Sequence, residues 1–183
     1  MIESQYSLFL KQLDNNTEEH SHSVGKMCRD IAPYIGLDPN IAYKIGLIHD
    51  LGKIYIPARI LKKNGKLTEL EREIIDLHSY YGYRILKSKN EEDVVALSVL
   101  YHHGYNKIKP APVIHEPLTD EIRLYTSLVH SVDVYDAMVS ARPYHSSFDI
   151  ESILNELHKD DMCTAEILLK IGEEDCKIRR QVV

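Results

Sequence analysis

Histidines and aspartates at wide intervals are the residues of this 183-residue chain whose types could do chemistry. Taken singly, each of these histidines is more often a hydrogen-bonded or surface residue than a metal ligand. Five of them, however, fall at or beside apolar stripes of separate predicted helices, and burying five imidazoles in a dry core is costly without a compensating partner. Neutral imidazole and carboxylate are natural ligands for divalent transition metals. We therefore predict a metal centre with these ligands: His20, His49, Asp50, His78, His102, His103 and Asp133.

The spacing of these ligands suits two metal ions. His49 and Asp50 are adjacent in the last turn of a predicted helix and point about 100° apart, which lets Asp50 bridge two ions while His49 binds one. His102 and His103 are adjacent at another helix end, where local unwinding can turn both toward one ion. Two ions ~3.5 to 4 Å apart lower the pKa of a shared water and generate a hydroxide nucleophile at neutral pH.

The elements that position these ligands are predicted to be helices. Apolar residues recur at three- and four-residue spacing, no strand-like alternation exceeds four residues, and we expect an all-α fold of seven or eight helices. Asp38 before Pro39 is typical of a helix N-cap, and Thr68 with Glu71 forms a capping box. Another helix is predicted to start at Asn90.

Length and composition predict one compact domain, since domains average roughly 150 residues. We divide the chain into an N-terminal helix (1–15), a metal-binding core (16–145) and C-terminal helices (146–183). The 28 acidic residues exceed the 22 basic ones, and the net charge of −6 repels polyanions, so no nucleic acid polymer is expected as a partner.

The same composition predicts a cytoplasmic protein without a membrane partner. No apolar run approaches the ~20 residues that span a bilayer, and the N-terminal residues carry no targeting pattern. Cys28, Cys163 and Cys176 are odd in number and lack CxxC spacing, so we interpret them as reduced thiols.

The sequence from His49 to Lys53 reads HDLGK, which resembles the signature of the HD superfamily of metal-dependent phosphohydrolases. The rest of the chain resembles the HD-GYP branch of that superfamily from about residue 16 to about residue 158. The further matching positions are His20, Val24, Ile56, Pro57, Ile60, Leu61, Lys63, Gly65, Leu67, Thr68, Glu71, His78, Gly82, His102, His103, the run from Asp133 to Ala137, and Arg142 to Tyr144.

This resemblance implies an HD-type helical domain that hydrolyses a cyclic dinucleotide, chiefly cyclic di-GMP, by a metal-activated hydroxide. The implied cofactors are two divalent transition-metal ions, iron or manganese, on the seven ligands named above. Asp50 and Lys53 carry over as catalytic residues, and Lys53 and Arg142 as residues that bind substrate phosphate.

The chain departs from the HD-GYP branch at two places. After His103 the sequence continues GYNKIKP, so the Gly-Tyr-Pro motif that names the branch is missing. Asn16 stands where three-metal members have a glutamate, which favours a two-metal centre. Two alternatives therefore stand beside the cyclic-dinucleotide phosphodiesterase: an HD phosphohydrolase of another nucleotide or phosphate ester, and a catalytically weak metal- and nucleotide-binding signalling module.

Two residues beside Asp133 have open interpretations. His130, one turn earlier, is either a packed core histidine or a donor to the metal ligands. Asp136 either orients a ligand or forms an ordinary salt bridge.

Overall fold

The structure is a computed structural model that describes residues 2–104, 117–140 and 150–181. Within these ranges the regular elements are helices, which confirms the predicted all-α class. The α-helices are α1 (Ile2–Leu10), α2 (Asn15–Ile31), α3 (Pro39–Ile48), α4 (Ala58–Leu61), α5 (Glu69–Ser88), α6 (Asp93–Tyr101), α7 (Asp120–Ser140), α8 (Ile150–Leu157) and α9 (Ala165–Gln181). Two 3-10 helices, Ala32–Ile35 and Leu51–Tyr55, follow α2 and α3. The one-turn α4 brings the number of α-helices in the described ranges above the predicted seven or eight.

The predicted helix caps are present at α3 and α5. The Asp38 side chain accepts hydrogen bonds from the backbone N–H groups of Asn40 and Ile41, at 2.7 and 3.1 Å. Thr68 Oγ1 accepts from the N–H of Glu71, and Glu71 Oε2 accepts from the N–H of Thr68. These bonds satisfy backbone donors that the first helical turn leaves without partners, and they fix where each helix begins.

Two predicted boundaries differ from the structure. The helix expected to start at Asn90 begins at Asp93, because Asn90 adopts a left-handed conformation with φ 57° that a helix does not continue. The helix expected to include Asp50 ends at Ile48, and Asp50 precedes the 3-10 helix with φ −93° and ψ 5°.

Helices α2 and α3 touch backbone to backbone at two glycines. A Cβ atom on Gly46 would lie 2.9 Å from the Cα of Gly25, and one on Gly25 would lie 3.2 Å from the backbone of Leu47 and of Tyr43. His20 lies five residues before Gly25, and His49 lies three residues after Gly46. The close approach therefore brings these two histidines together, with their ring centroids 5.3 Å apart.

A third glycine places the 3-10 helix against α5. A Cβ atom on Gly52 would lie 1.9 Å from the carbonyl oxygen of His78 and 2.5 Å from the N–H nitrogen of Gly82. Only a residue without a side chain allows this approach, which fixes Asp50 and Lys53 beside the middle of α5.

Buried apolar side chains form one continuous cluster, and α7 runs through it. Leu128, Val129 and Val132 of α7 are completely buried, and the helix contacts α2, α3, α6, α8 and α9. This central position lets Asp133 reach residues of several other helices. In the described ranges no helix has both the length and the apolar character of a membrane span.

Candidate metal centre

The seven predicted ligands converge at one place, although they are spread over more than one hundred positions of the sequence. The convergence brings together α2 with His20, the end of α3 with His49 and Asp50, α5 with His78, the end of α6 with His102 and His103, and α7 with Asp133. The predicted ligands form three overlapping groups of three residues, and within each group the ligand atoms lie within 4.8 Å of one another. The groups are His78, His102 and His103; His20, His49 and Asp50; and His49, His102 and Asp133.

Three of the imidazoles are held in the same way by their own helices. The Nδ1 atoms of His49, His78 and His102 each donate to the carbonyl oxygen three residues earlier, at 2.7, 2.6 and 2.6 Å. Because Nδ1 carries the proton in each ring, Nε2 keeps a lone pair and faces the centre. The Nε2 atoms of His78 and His102 lie 3.3 Å apart.

His20 is oriented by two carboxylates on α7 instead. Its Nδ1 lies 2.7 Å from Asp136 Oδ2, and its Nε2 lies 2.9 Å from Asp133 Oδ1. Ser23, one turn after His20, donates its hydroxyl to the other oxygen of Asp136. Burial alone would lower the pKa of His20, but hydrogen bonds to Asp133 and Asp136 outweigh it and raise this pKa to about 10.

Asp50 contacts both sides of the centre through its two carboxylate oxygens. Oδ1 lies 3.3 Å from His78 Nε2, whereas Oδ2 lies 3.5 Å from His49 Nε2 and 2.5 Å from Lys53 Nζ. Burial would raise the pKa of Asp50, but His49, Lys53 and His78 outweigh it and hold the pKa well below the usual range of a carboxyl group. Asp50 is therefore a buried anion with one oxygen toward each group of imidazoles.

Three of the imidazoles, those of His78, His102 and His103, are electrically neutral at pH 7. Burial lowers the pKa of His78 to about 4, of His102 to about 3 and of His103 to about 2. His103 is the most exposed of the three, and its Nδ1 lies 4.0 Å from Asp133 Oδ2. The neutral ring is the form of histidine that binds metal ions.

One buried atom supports a metal ligand set directly. His49 Nε2 is inaccessible to solvent and has no hydrogen-bond partner, while Asp50 and Asp133 lie 3.5 and 3.7 Å away. A buried polar atom without a partner costs about 1–3 kcal/mol. A divalent cation between this nitrogen and the two carboxylates would satisfy it, so the residues present fit a metal centre made of nitrogen and oxygen ligands.

A cavity of about 1020 Å³ opens beside these ligands. Its walls include metal-ligand candidates and residues of α2 and α7 that no ligand prediction used. The lining residues are Asn16, Thr17, Glu19, His20, Ser23, Asp50, Lys53, His103, Asp133, Val134, Asp136, Ala137, Met138 and Ser140. Lys53, predicted as a catalytic and phosphate-binding residue, thus lies at the cavity beside Asp50.

Some predicted features lie outside the described residues, and one contact of the site was not predicted from the sequence. Arg142 and the segment from Tyr105 to Pro110 lie outside the described residues. Ser23 was not predicted, although its position three residues after His20 puts both side chains on one face of α2. Both interpretations of His130 hold in the structure. The residue is buried, and its Nδ1 donates to the backbone oxygen of His102, a predicted ligand, at 2.6 Å.

Comparison with known proteins places this helical centre in a family of HD domains. The family model described as HD domain matches residues 17–138, which is more than half of the chain and includes all seven predicted ligands. The chain therefore belongs to the HD domain family.

Several curated relatives are bacterial phosphodiesterases. The chain is 30% identical over 156 residues to the 3'3'-cGAMP-specific phosphodiesterase 1 of Vibrio cholerae, covering 80% of this chain and 34% of the relative. It is 31% identical over 181 residues to the cyclic di-GMP phosphodiesterase of Thermotoga maritima, covering 92% and 48%. It is 34% identical over 152 residues to the cyclic di-GMP phosphodiesterase response regulator RpfG of Xanthomonas campestris, covering 77% and 37%. The chain thus spans one third to one half of these relatives.

Solved structures share the fold at low sequence identity. The HD domain of the Listeria monocytogenes phosphodiesterase PgpH superposes with a TM-score of 0.66 at 20% identity, covering 95% of this chain and 98% of the other. The same domain in complex with cyclic-di-AMP gives a TM-score of 0.66 at 22% identity.

Proposed function

We propose that this chain is a metal-dependent phosphodiesterase of the HD-GYP branch that hydrolyses a cyclic dinucleotide, with cyclic di-GMP as the first substrate to test. The observation that carries the proposal is the convergence of five imidazoles and two carboxylates beside an open cavity. Relatives named as cyclic di-GMP and cGAMP phosphodiesterases support the choice of substrate class.

The geometry supports two ions with Asp50 between them. One ion would be held by His78, His102 and His103, which form one of the close groups, together with Asp50 Oδ1, which lies 3.3 Å from His78 Nε2. The other would be held by Asp50 Oδ2 together with His20, His49 and Asp133.

Iron and manganese are the ions we propose for these two positions. Imidazole suits iron, carboxylate suits manganese, and sulfur is absent from this ligand set. When bound, such ions supply a water of lowered pKa and a counter-charge for the phosphodiester.

Lys53 is the cation that this chain itself supplies for substrate phosphate. Its ammonium group lies 2.5 Å from Asp50 Oδ2, and its side chain is 25% exposed toward the cavity. Burial would lower the pKa of Lys53, but the Asp50 carboxylate outweighs it and raises the pKa, so the group stays charged. We propose that Lys53 holds a non-bridging phosphate oxygen, a role for which Arg142 remains a second predicted residue.

The cavity is large enough for a dinucleotide. Its volume of about 1020 Å³ is at the upper end of the ~300–1,000 Å³ that small-molecule sites occupy. Asn16, Thr17 and Glu19 of α2 also line the cavity, and their polar side chains can hydrogen-bond nucleobase edges.

The experiment is a metal-reconstituted hydrolysis assay. Metal-depleted protein is loaded with Fe²⁺ or Mn²⁺, its metal content is measured, and cyclic di-GMP, 3'3'-cGAMP and cyclic-di-AMP are followed by chromatography. We expect about two ions per chain and turnover of at least one cyclic dinucleotide, and Asp50→Ala should abolish both. Metal-loaded protein that cleaves none of the three would overturn the proposed substrate class.

A matched pair of lysine variants tests the phosphate contact. Lys53→Gln should lower kcat/KM on the order of 100-fold while the protein keeps its metal, because a charge that stabilises the transition state is lost. Lys66→Gln removes an equal charge from an exposed residue outside the cavity and should leave kcat/KM unchanged. Equal effects of the two substitutions would contradict the assignment of Lys53.

A second candidate is an HD phosphohydrolase that acts on another nucleotide or phosphate ester. The sequence after His103, which lacks Gly-Tyr-Pro, favours it. Adding linear dinucleotides, nucleoside monophosphates and an aryl phosphodiester to the substrate panel separates the candidates. Metal binding without any turnover would instead support a signalling module.

A further inference from the structure

A second cluster of metal-ligating side chains lies apart from the cavity, between α7 and the turn that joins α8 to α9. It consists of His130, Asp160 and Cys163, and one ligand atom of each lies within 4.8 Å of the others. His130 Nε2 lies 2.9 Å from Asp160 Oδ2. None of these three residues lines the cavity or belongs to the seven predicted ligands.

The turn from Asp160 to Cys163 is held in place by its own hydrogen bonds. The backbone N–H of Cys163 donates to the backbone oxygen of Asp160, and the N–H of Met162 donates to Asp160 Oδ1, both at 2.9 Å. The second carboxylate oxygen is thereby directed toward His130. The ligand atoms are thus arranged by backbone geometry and not by long flexible side chains.

Burial differs among the three residues in a way that suits a bound ion. His130 is 3% exposed and Cys163 is 7% exposed, whereas the side chain of Asp160 is 43% exposed. A sulfur and a nitrogen ligand are therefore shielded from water, and the carboxylate side is open to entry of an ion and to a water ligand.

We propose that His130 Nε2, the Asp160 carboxylate and the Cys163 thiolate bind a zinc ion, with solvent water as the fourth ligand. Zinc prefers four ligands at ~2.0–2.3 Å from nitrogen, oxygen and sulfur, a set that this cluster supplies with small side-chain shifts. Binding replaces the hydrogen bond between His130 and Asp160, so two protons pass to solvent. One leaves His130 Nε2, which donates to Asp160 before the ion binds, and the other leaves the Cys163 thiol as the Zn–S bond forms.

The two centres differ in ligand chemistry. The first offers nitrogen and oxygen atoms, whereas the second includes a thiolate, which favours zinc over manganese and magnesium. They are joined by one hydrogen bond, because His130 Nδ1 donates to the backbone oxygen of His102 at 2.6 Å. An ion on His130 would hold the backbone of His102, one of the predicted ligands of the first centre.

Cobalt substitution gives a spectroscopic test that reports on sulfur alone. Metal-depleted full chain is titrated with Co²⁺, and the thiolate-to-cobalt charge-transfer band is recorded in the near ultraviolet. We expect this band in the native sequence and its complete loss in Cys163→Ser. Cys28→Ala and Cys176→Ala are matched controls that should keep the band.

Asp160→Asn provides a second variant that spares the core, since its side chain is largely at the surface. It should weaken Co²⁺ binding at this site at least about tenfold, because even losses outside the ligand shell cost 10- to 100-fold. Asp50→Ala, which disrupts the first centre, should leave the band intact and so separates this proposal from the proposed function. Absence of the band in the native sequence, or its persistence in Cys163→Ser, would overturn the zinc site.

Discussion

Replacing Gly52 with alanine should displace the segment that carries two functional residues. The added Cβ would lie 1.9 Å from the carbonyl oxygen of His78 and 2.5 Å from the nitrogen of Gly82, whereas real Cβ atoms stay beyond 3.0 Å. The atoms in the way are backbone, so the 3-10 helix and α5 must separate by about 1 Å. Asp50 and Lys53 would move away from α5 with it.

The magnitude follows from the size of this displacement. Overpacking costs about 1–3 kcal/mol, and a backbone-to-backbone clash lies at the upper end, so we expect a loss of about 3 kcal/mol in the free energy of unfolding. For a chain of this size that corresponds to a fall of about 6–12 °C in Tm. A 1 Å misplacement of catalytic groups costs about 100-fold in rate, and we expect a similar loss of kcat/KM.

The assays are thermal unfolding, metal content and hydrolysis of the best substrate. Gly172→Ala is the matched control, because Gly172 lies within α9 and its Cβ would meet only a flexible side-chain atom of Leu154, in α8, at 3.3 Å. It should be neutral, or stabilising by up to about 1 kcal/mol, since alanine is the better helix former. A Gly52→Ala protein with native Tm and native metal content would refute the reasoning from backbone contact.

Three further outcomes test other parts of the structure. Asp136→Asn should weaken metal binding about 10- to 100-fold at unchanged helix content, because Asp136 orients His20, and unchanged affinity in a chelator-competition titration would contradict this. Tyr6→Phe should cost about 1.5–3 kcal/mol in denaturant unfolding without changing metal content, since the Tyr6 hydroxyl donates to the Glu91 carboxylate; equal stability would argue against that bond. Chelation should lower Tm by about 5–11 °C relative to protein in Mn²⁺ at 100 times its Kd, and added Mn²⁺ should restore the Tm. A Tm that does not change with metal would contradict a metal centre whose ligands come from five helices.

Local signals in the sequence predicted the helices well. Asp38 and the pair Thr68 and Glu71 act within four residues of themselves, so their hydrogen bonds could be predicted without knowledge of the fold. Asn90 shows the limit: the apolar pattern begins near it, but its left-handed backbone delays the helix to Asp93.

The convergence of the seven predicted ligands could be predicted because each of them combines a metal-binding side chain with an apolar helix face. The contacts that orient these ligands were harder to predict. Asp136 could be suspected from its helical phase with Asp133, but its bond to His20 spans 116 positions and depends on how α2 packs against α7. The bond between His130 and Asp160 likewise joins separate elements, and no local pattern specifies it.

The glycine contact between α2 and α3 makes one edge of the metal centre rigid, whereas side chains elsewhere in the cavity can be varied. Because Gly25 and Gly46 meet without intervening side chains, the separation of His20 from His49 does not depend on how neighbouring residues repack. Val134, Ala137 and Met138 of α7 line the cavity as well, and none of them is a predicted ligand. Libraries that aim to change substrate preference should therefore diversify these three positions of α7 and leave the glycine crossing untouched.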